Sequence, residues 1–196
     1  MRYTGHLDLH RAWERAFRRA GLPLAYSQGY HPQPRLNLAA ALPLGFTSAC
    51  EILDAWLSEE IPGDTVKAVL ERALPPGIEI NSIEEVEDRL PALQNQVLAT
   101  EYIVTMHEFL DHLDERLDEL IKTTVISRER HGKTYDLRPL IEDLHRMPDD
   151  DQGYKRVFMR LTARSGATGR PEEVLAALDI PSETTRIHRT RLILEV

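Results

Sequence analysis

Two α+β modules in tandem, residues 1–90 and 98–196, are the fold this sequence predicts, on three observations. Hydrophobic spacing switches repeatedly between the 3.6-residue repeat of an amphipathic helix and the two-residue alternation of a strand. The switches come in a similar order in both halves, without visible sequence identity between them. Between the halves, "DRLPALQNQVL" (residues 88–98) reads as a connector. Each half approximates β-α-β-β-α-β, the ferredoxin-like plan. Because only a few residues precede the first helix, the first module is expected with its N-terminal strand very short or missing.

The first half opens with a helix over 5–20, "GHLDLHRAWERAFRRA", in which Leu9, Ala12, Trp13, Ala16, Phe17 and Ala20 form one apolar stripe. Thr4 is its expected N-cap, Gly21 its stop, and Pro23 lies just beyond. A polar, proline-clamped loop follows, and then two strands, "RLNLAAAL" and "ACEILDAWL", joined through "PLGFTS". In the second strand Cys50, Ile52, Asp54 and Trp56 alternate with Glu51, Leu53, Ala55 and Leu57. "PGDTVKAVLERALPPG" reads as a helix capped by Asp64 and ended before Pro75, and "IEINSIEEVE" (78–87) as a strand.

The second half begins with strand "EYIVTMH" and a helix over 108–123, "EFLDHLDERLDELIKT". Strands around "VISRER" and "KTYDL" turn at Gly132, a short helix covers "RPLIEDLHRM" (138–147), and strand "YKRVFMRLTAR" follows. Helix "PEEVLAALD" and a last strand, "TRIHRTRLILEV" (185–196), complete the chain. "SGATG" at 165–169 lacks the lysine and spacing of a phosphate loop and is read as a loop.

Composition bounds the class. Hydrophobic residues make up 42% and charged residues 29%, values ordinary for a soluble globular protein. No apolar run approaches the ~20 residues of a membrane span, and no leader opens the chain. The one cysteine, Cys50, excludes an internal disulfide and a four-cysteine metal or iron–sulfur site. A cytoplasmic protein without membrane contact is expected. The net charge of −8 hides a split: residues 1–37 hold six Arg against Asp8 and Glu14, a local +4 that leaves −12 for the rest. A basic island on an acidic chain localises an anionic partner, although a single-sign island also suits a subunit contact.

Arg11, Arg15, Arg18 and Arg19 fall on the helix face opposite the apolar stripe, where planar guanidinium groups suit phosphate or carboxylate. The plain alternative is a solvated face with Glu14 pairing Arg18. In the loop that follows, Pro32 and Pro34 restrict the backbone and Gly29 permits a tight turn or close approach. Tyr26, Tyr30 and His31 offer flat faces for stacking, Ser27 and Gln28 offer hydrogen bonds, and Arg35 adds a charge. The alternative is a rigid crossover with its aromatics packed inward. His6 and His10, with Asp8 between them, have metal-pair spacing, but two ligands do not make a site, and neither metal nor cofactor is expected. His6 or His31, helped by Tyr26, is the candidate acid–base group if the chain catalyses anything, and a chain without its own activity is the primary expectation. On the strand at 154–164, Arg156, Phe158, Arg160, Thr162 and Arg164 share a face that resembles, poorly in its motif, the sheet with which RRM-like domains take single-stranded RNA. "RIHRTR" (Arg186, His188, Arg189, Arg191) extends this basic surface. The acidic residues of helix 108–123 read as a solvated face, with the docking of a basic partner as the alternative.

The stretch "TGHLDLHRAWERAFRRAGLPLAYSQGYHPQPRLNLAAALPLGFTSACEILD" closely resembles the opening of the radical-SAM-linked proteins, a bacterial family of unknown function whose members stand alone or fused behind B12-binding radical SAM proteins. The matching positions are His6, Leu7, Asp8, Arg11, Arg15, Arg18, Arg19, Gly21, Pro23, Tyr26, Ser27, Gly29, Pro32, Pro34, Gly45, Ser48 and Glu51, and "DLRPLI" and "IHRTRL" are similar too. Tyr30 stands where Phe is more usual, and the CxxxCxxC cluster motif of radical SAM enzymes is absent. The resemblance thus implies an accessory role beside such an enzyme. The expected function is substrate recognition or docking for a radical SAM protein, with RNA the favoured ligand of Asp8, Arg11, Arg15, Arg18, Arg19, Tyr26, Ser27, Gly29, Tyr30, His31 and Arg35. The alternatives are a metal-independent RNA-processing enzyme and a purely protein-binding module.

Overall fold

The computed structural model describes residues 2–87, 89–108, 110–130 and 132–195. Met1, Asp88 of the expected connector, Phe109 of the expected helix 108–123, His131, and Val196 of the expected last strand lie outside the described residues. The chain is a mixed α+β protein of two compact units, Met1–Leu44 with Glu51–Asn95, and Gly45–Cys50 with Gln96–Val196. Among the described residues no helix is long and apolar enough to cross a membrane.

Unit 1 is built on α1 (His6–Arg19), β1 (Leu36–Leu38), β3 (Leu53–Ala55) and α2 (Gly63–Ala73). The apolar stripe of α1 buries Ala16 and Phe17 against Leu22, Leu24, Leu36, Val66 and Leu70, with Trp13, Leu53, Leu57, Ile80 and Ile83 packed around them. Burying side chains of this size contributes about 1.5–3 kcal/mol each. Capping differs from expectation: Gly5 rather than Thr4 is the N-cap of α1, and Pro62 rather than Asp64 that of α2. Asp64 sits in the first turn, where its charge suits the helix dipole. Strands β1 and β3 pair antiparallel, Leu36 opposite Ala55 and Asn37 opposite Asp54.

Residues 78–87 form no strand. Only Ile80 and Ile83 pack on the core, three residues apart, a spacing that alternating strand faces do not give. Lys67 Nζ donates to the Asn81 carbonyl at 2.9 Å, so a side chain meets a backbone acceptor that a sheet partner would have taken.

Unit 2 holds the short β2 (Thr47–Ser48), the four-residue α3 (Leu93–Gln96), β4 (Val97–Met106), α4 (Leu113–Lys122), the hairpin β5 (Ser127–Arg130) and β6 (Lys133–Asp136), β7 (Ile141–Met147), β8 (Arg156–Arg164), β9 (Ala167–Thr168), α5 (Pro171–Ala177) and β10 (Thr185–Leu194). The main sheet runs β2-β10-β4-β8-β7, with β9 beside β8. All its pairs are antiparallel except the β2–β10 pair. With the hairpin set aside, β4-α4-β7-β8-α5-β10 is a β-α-β-β-α-β order whose strands lie fourth, first, third, second across the sheet. Tyr102, Val104 and Met106 of β4 and Val157, Met159 and Leu161 of β8 are buried, as are Leu113, Leu117 and Leu120 of α4 and Val174 and Leu175 of α5.

The helix expected over 138–147 is a single 3-10 turn, Arg138–Leu140, followed by β7. Pro139 is the second residue of the turn, and a register shift between Ile141 and Asp143 inserts Glu142 as a bulge. Ile141 and Leu144 therefore meet Leu161 and Met159 three residues apart, a helical spacing produced by a bulged strand. The helix expected over 108–123 is shorter, starting after His112, whose φ of 57° is left-handed.

Candidate functional site

The loop after α1 folds as a tight ribbon. Ala25 N–H donates to the Trp56 carbonyl (2.7 Å), Trp56 N–H to the Arg35 carbonyl (3.1 Å), and Arg35 N–H to the Ala25 carbonyl (2.8 Å), a closed three-membered set. Further out, Ser27 N–H donates to the Gln33 carbonyl at 2.8 Å and Gln33 N–H to Ser27 Oγ at 2.9 Å. The prolines suit this path, because each fixes φ at a position that needs no ladder donor. Gly29 turns the tip at φ 139°, a conformation side-chain-bearing residues rarely adopt. Ser27, expected to bond a ligand, has its hydroxyl in use as an internal clamp.

The ribbon's rings face outward rather than into the core. Tyr26 is 50% exposed and Tyr30 fully exposed, and His31 beside them is exposed as well. At the base of the ribbon the Arg35 guanidinium carbon lies over the Trp56 ring, 4.5 Å from its centroid. Trp56 is not among the site residues that the sequence predicts. The signal was present in the alternation of "ACEILDAWL", which puts it on one face with Asp54. Burial pushes the Asp54 carboxyl above its ordinary range.

On α1, Arg11, Arg15 and Arg18 are exposed. Arg11 stands 3.6 Å from Asp8 in an open i,i+3 pair, while the side chains of Arg15 and Arg18 make no ion pair or hydrogen bond among the described residues, so the Glu14–Arg18 pair of the solvated-face alternative is not formed. Arg19 is used differently: its Nη1 donates to the Ala73 carbonyl at 2.7 Å, a cation closing the last turn of α2. The two helix-start histidines also part. His10 Nε2 lies 3.2 Å from the Leu36 carbonyl, tying α1 to β1, and His6 is exposed. Among the described residues no group of three or more His, Cys, Asp or Glu is arranged to hold a metal. Nor does any hydrogen bond join His6, Tyr26 and His31 into an acid–base set there.

In unit 2 the register aligns one row across four strands: His145 of β7, Phe158 of β8, Ile103 of β4 and His188 of β10. His145 stacks on Phe158 with ring centroids 4.8 Å apart and planes at 23°. In the neighbouring row Arg160 donates from Nε (2.9 Å) and Nη2 (2.6 Å) to Glu101 Oε1. Asp143 Oδ1 lies 3.0 Å from His145 Nδ1. His188 Nδ1 lies 2.8 Å from Thr47 Oγ1, and burial, with Arg186 nearby, pulls its pKa below the ordinary 6.5.

Compared with known proteins, residues 1–171 match the model of a family described as "Uncharacterized protein conserved in bacteria (DUF2344)". No curated protein matches the chain.

Proposed function

The chain belongs to the bacterial family DUF2344, and from that premise we propose that it is an RNA-recognition protein, reading its ligand through the basic surface of unit 1. One observation carries the reading: Arg11, Arg15 and Arg18 share an exposed helix face, and the same unit projects Tyr26, Tyr30 and His31 outward on a clamped ribbon. Guanidinium groups hold phosphates, and exposed rings stack unpaired bases. The ribbon's internal bonds and prolines lower the ordering cost of binding.

The partner in this reading is a radical SAM protein, for which the chain would present or select the RNA. That part rests on the resemblance of residues 4–54 and on no contact. A ferredoxin-like identity for unit 2 is supported by its strand order, fourth, first, third, second, and a cytoplasmic site of action by the single cysteine.

The test is a gel-shift titration of the chain with total small RNA at low and moderate salt, beside an Arg11/Arg15/Arg18→Glu variant. A salt-sensitive shift lost in the variant is the expected result. An unshifted RNA, or a shift the variant retains, would reject the reading.

A further inference from the structure

The row His145–Phe158–Ile103–His188 leaves an aromatic stack near one edge of the unit 2 sheet and positive charge near the other. His145 lies with one face on Phe158, yet its side chain is still 53% exposed, so its second face is open. Edge strand β7 pairs with β8 on one side only, and among the described residues no strand of the main sheet lies on its outer side. Three strand spacings away, about 14 Å, β10 carries Arg186 and Arg191, both exposed and with no ion pair among the described residues. Of the other charges in these rows, Glu101 is paired with Arg160, and Asp143 Oδ1 lies 3.0 Å from His145 Nδ1, a ring that offsets its charge only when protonated. Arg156 is turned to the Pro148 carbonyl at 2.9 Å. With both histidines neutral, four arginines (Arg156, Arg160, Arg186 and Arg191) against two carboxylates (Glu101 and Asp143) leave these rows at a net +2, so the complementary occupant is anionic. The open ring selects for an anion that also carries flat bases.

We propose that this sheet face is a second RNA contact, stacking a base of a single strand on His145 over Phe158 while Arg186 and Arg191 hold its phosphates. The inference rests on the reading of RNA as the ligand and names unit 2 as part of the interface. Arg160 acts here as a positioning residue, since its two hydrogen bonds to Glu101 Oε1 fix the middle of the platform.

The experiment is fluorescence anisotropy of a short fluorescein-labelled oligouridine with the full chain, over a range of salt. The variants are His145→Ala, Phe158→Leu, Arg186→Glu/Arg191→Glu, and the unit 1 variant Arg15→Glu/Arg18→Glu, with circular dichroism to confirm folding. Losing one stacked base is expected to weaken binding roughly 5- to 150-fold in His145→Ala, with the salt slope unchanged. The Arg186/Arg191 variant is expected to reduce the slope as well. If His145→Ala and the Arg186/Arg191 variant both bind as the parent does while the unit 1 variant loses affinity, this inference fails and the unit 1 reading stands. If the reverse holds, unit 2 is the site and the unit 1 reading fails. Failure of the parent to bind overturns both. Equal competition by poly-glutamate would leave a surface for any polyanion and overturn the stacking claim.

Discussion

The guanidinium of Arg35 rests on the indole of Trp56, 4.5 Å from the ring centroid, and a backbone hydrogen bond from Trp56 N–H to the Arg35 carbonyl holds the same two residues together. The side-chain contact is worth about 0.5–1 kcal/mol at an exposed site. Arg35→Ala is therefore expected to lower the stability of unit 1 by about that much, read by urea denaturation. It should also weaken RNA binding, since a cation stacked in place costs little to order. Arg35→Lys should restore part of the stability and less of the binding, because a lysine has no planar fork.

Arg15 and Arg19 make opposite predictions although they are one turn apart. Arg19 donates to the Ala73 carbonyl at 2.7 Å, so Arg19→Ala should cost about 1 kcal/mol of stability. Arg15→Ala should leave the denaturation midpoint within error and weaken RNA binding. Measuring both quantities for both variants checks the division of labour.

That division was not legible in the sequence. The period of α1 showed which face is buried, because local spacing is enough for that. The partner of Arg19 lies 54 residues away, and nothing in the local pattern names it. The same limit explains β7, where a bulge at Glu142 mimics helical spacing, and Trp56, whose pairing with Arg35 depends on the β1–β3 register. The segment holding Tyr26, Tyr30 and His31 stands out in the sequence because prolines, glycine and polar rings are concentrated in it, but spacing alone leaves open whether its rings face outward or inward, which the hydrogen bonds among Ala25, Arg35 and Trp56 decide. The clamp by Ser27 was not, since a hydroxyl suits a ligand as well as a backbone donor.

Acid should loosen the β2–β10 contact. Burial holds His188 below its ordinary pKa, so the neutral ring is the form the fold accommodates beside Thr47 Oγ1. A depressed folded pKa means the contribution is fully present above the unfolded value, near 6.5, and is lost as the pH falls through the folded value. His188→Gln should flatten this part of the stability profile. Urea midpoints for the two proteins across the mildly acidic range test it, and identical profiles would remove His188 as the cause.

Glycine at the ribbon tip should matter for binding more than for packing. A Cβ on Gly29 meets nothing within 4 Å, yet φ of 139° is strained for any side chain. Gly29→Ala is expected to cost about 1 kcal/mol or more locally and to shift the tip, with weaker RNA binding at nearly unchanged core stability. Amide hydrogen exchange in 25–35 beside α2 (Gly63–Ala73) of the same unit would separate a local effect from a global one.

The most direct measurement is the salt dependence of RNA affinity for the parent and for Arg11/Arg15/Arg18→Ala. Each phosphate held on a single strand contributes about −0.7 to the slope of log affinity against log salt. If each of the three arginines of α1 holds a phosphate, the variant's slope should be shallower by about 2. An unchanged slope would show that these arginines hold no phosphates and contradict the account.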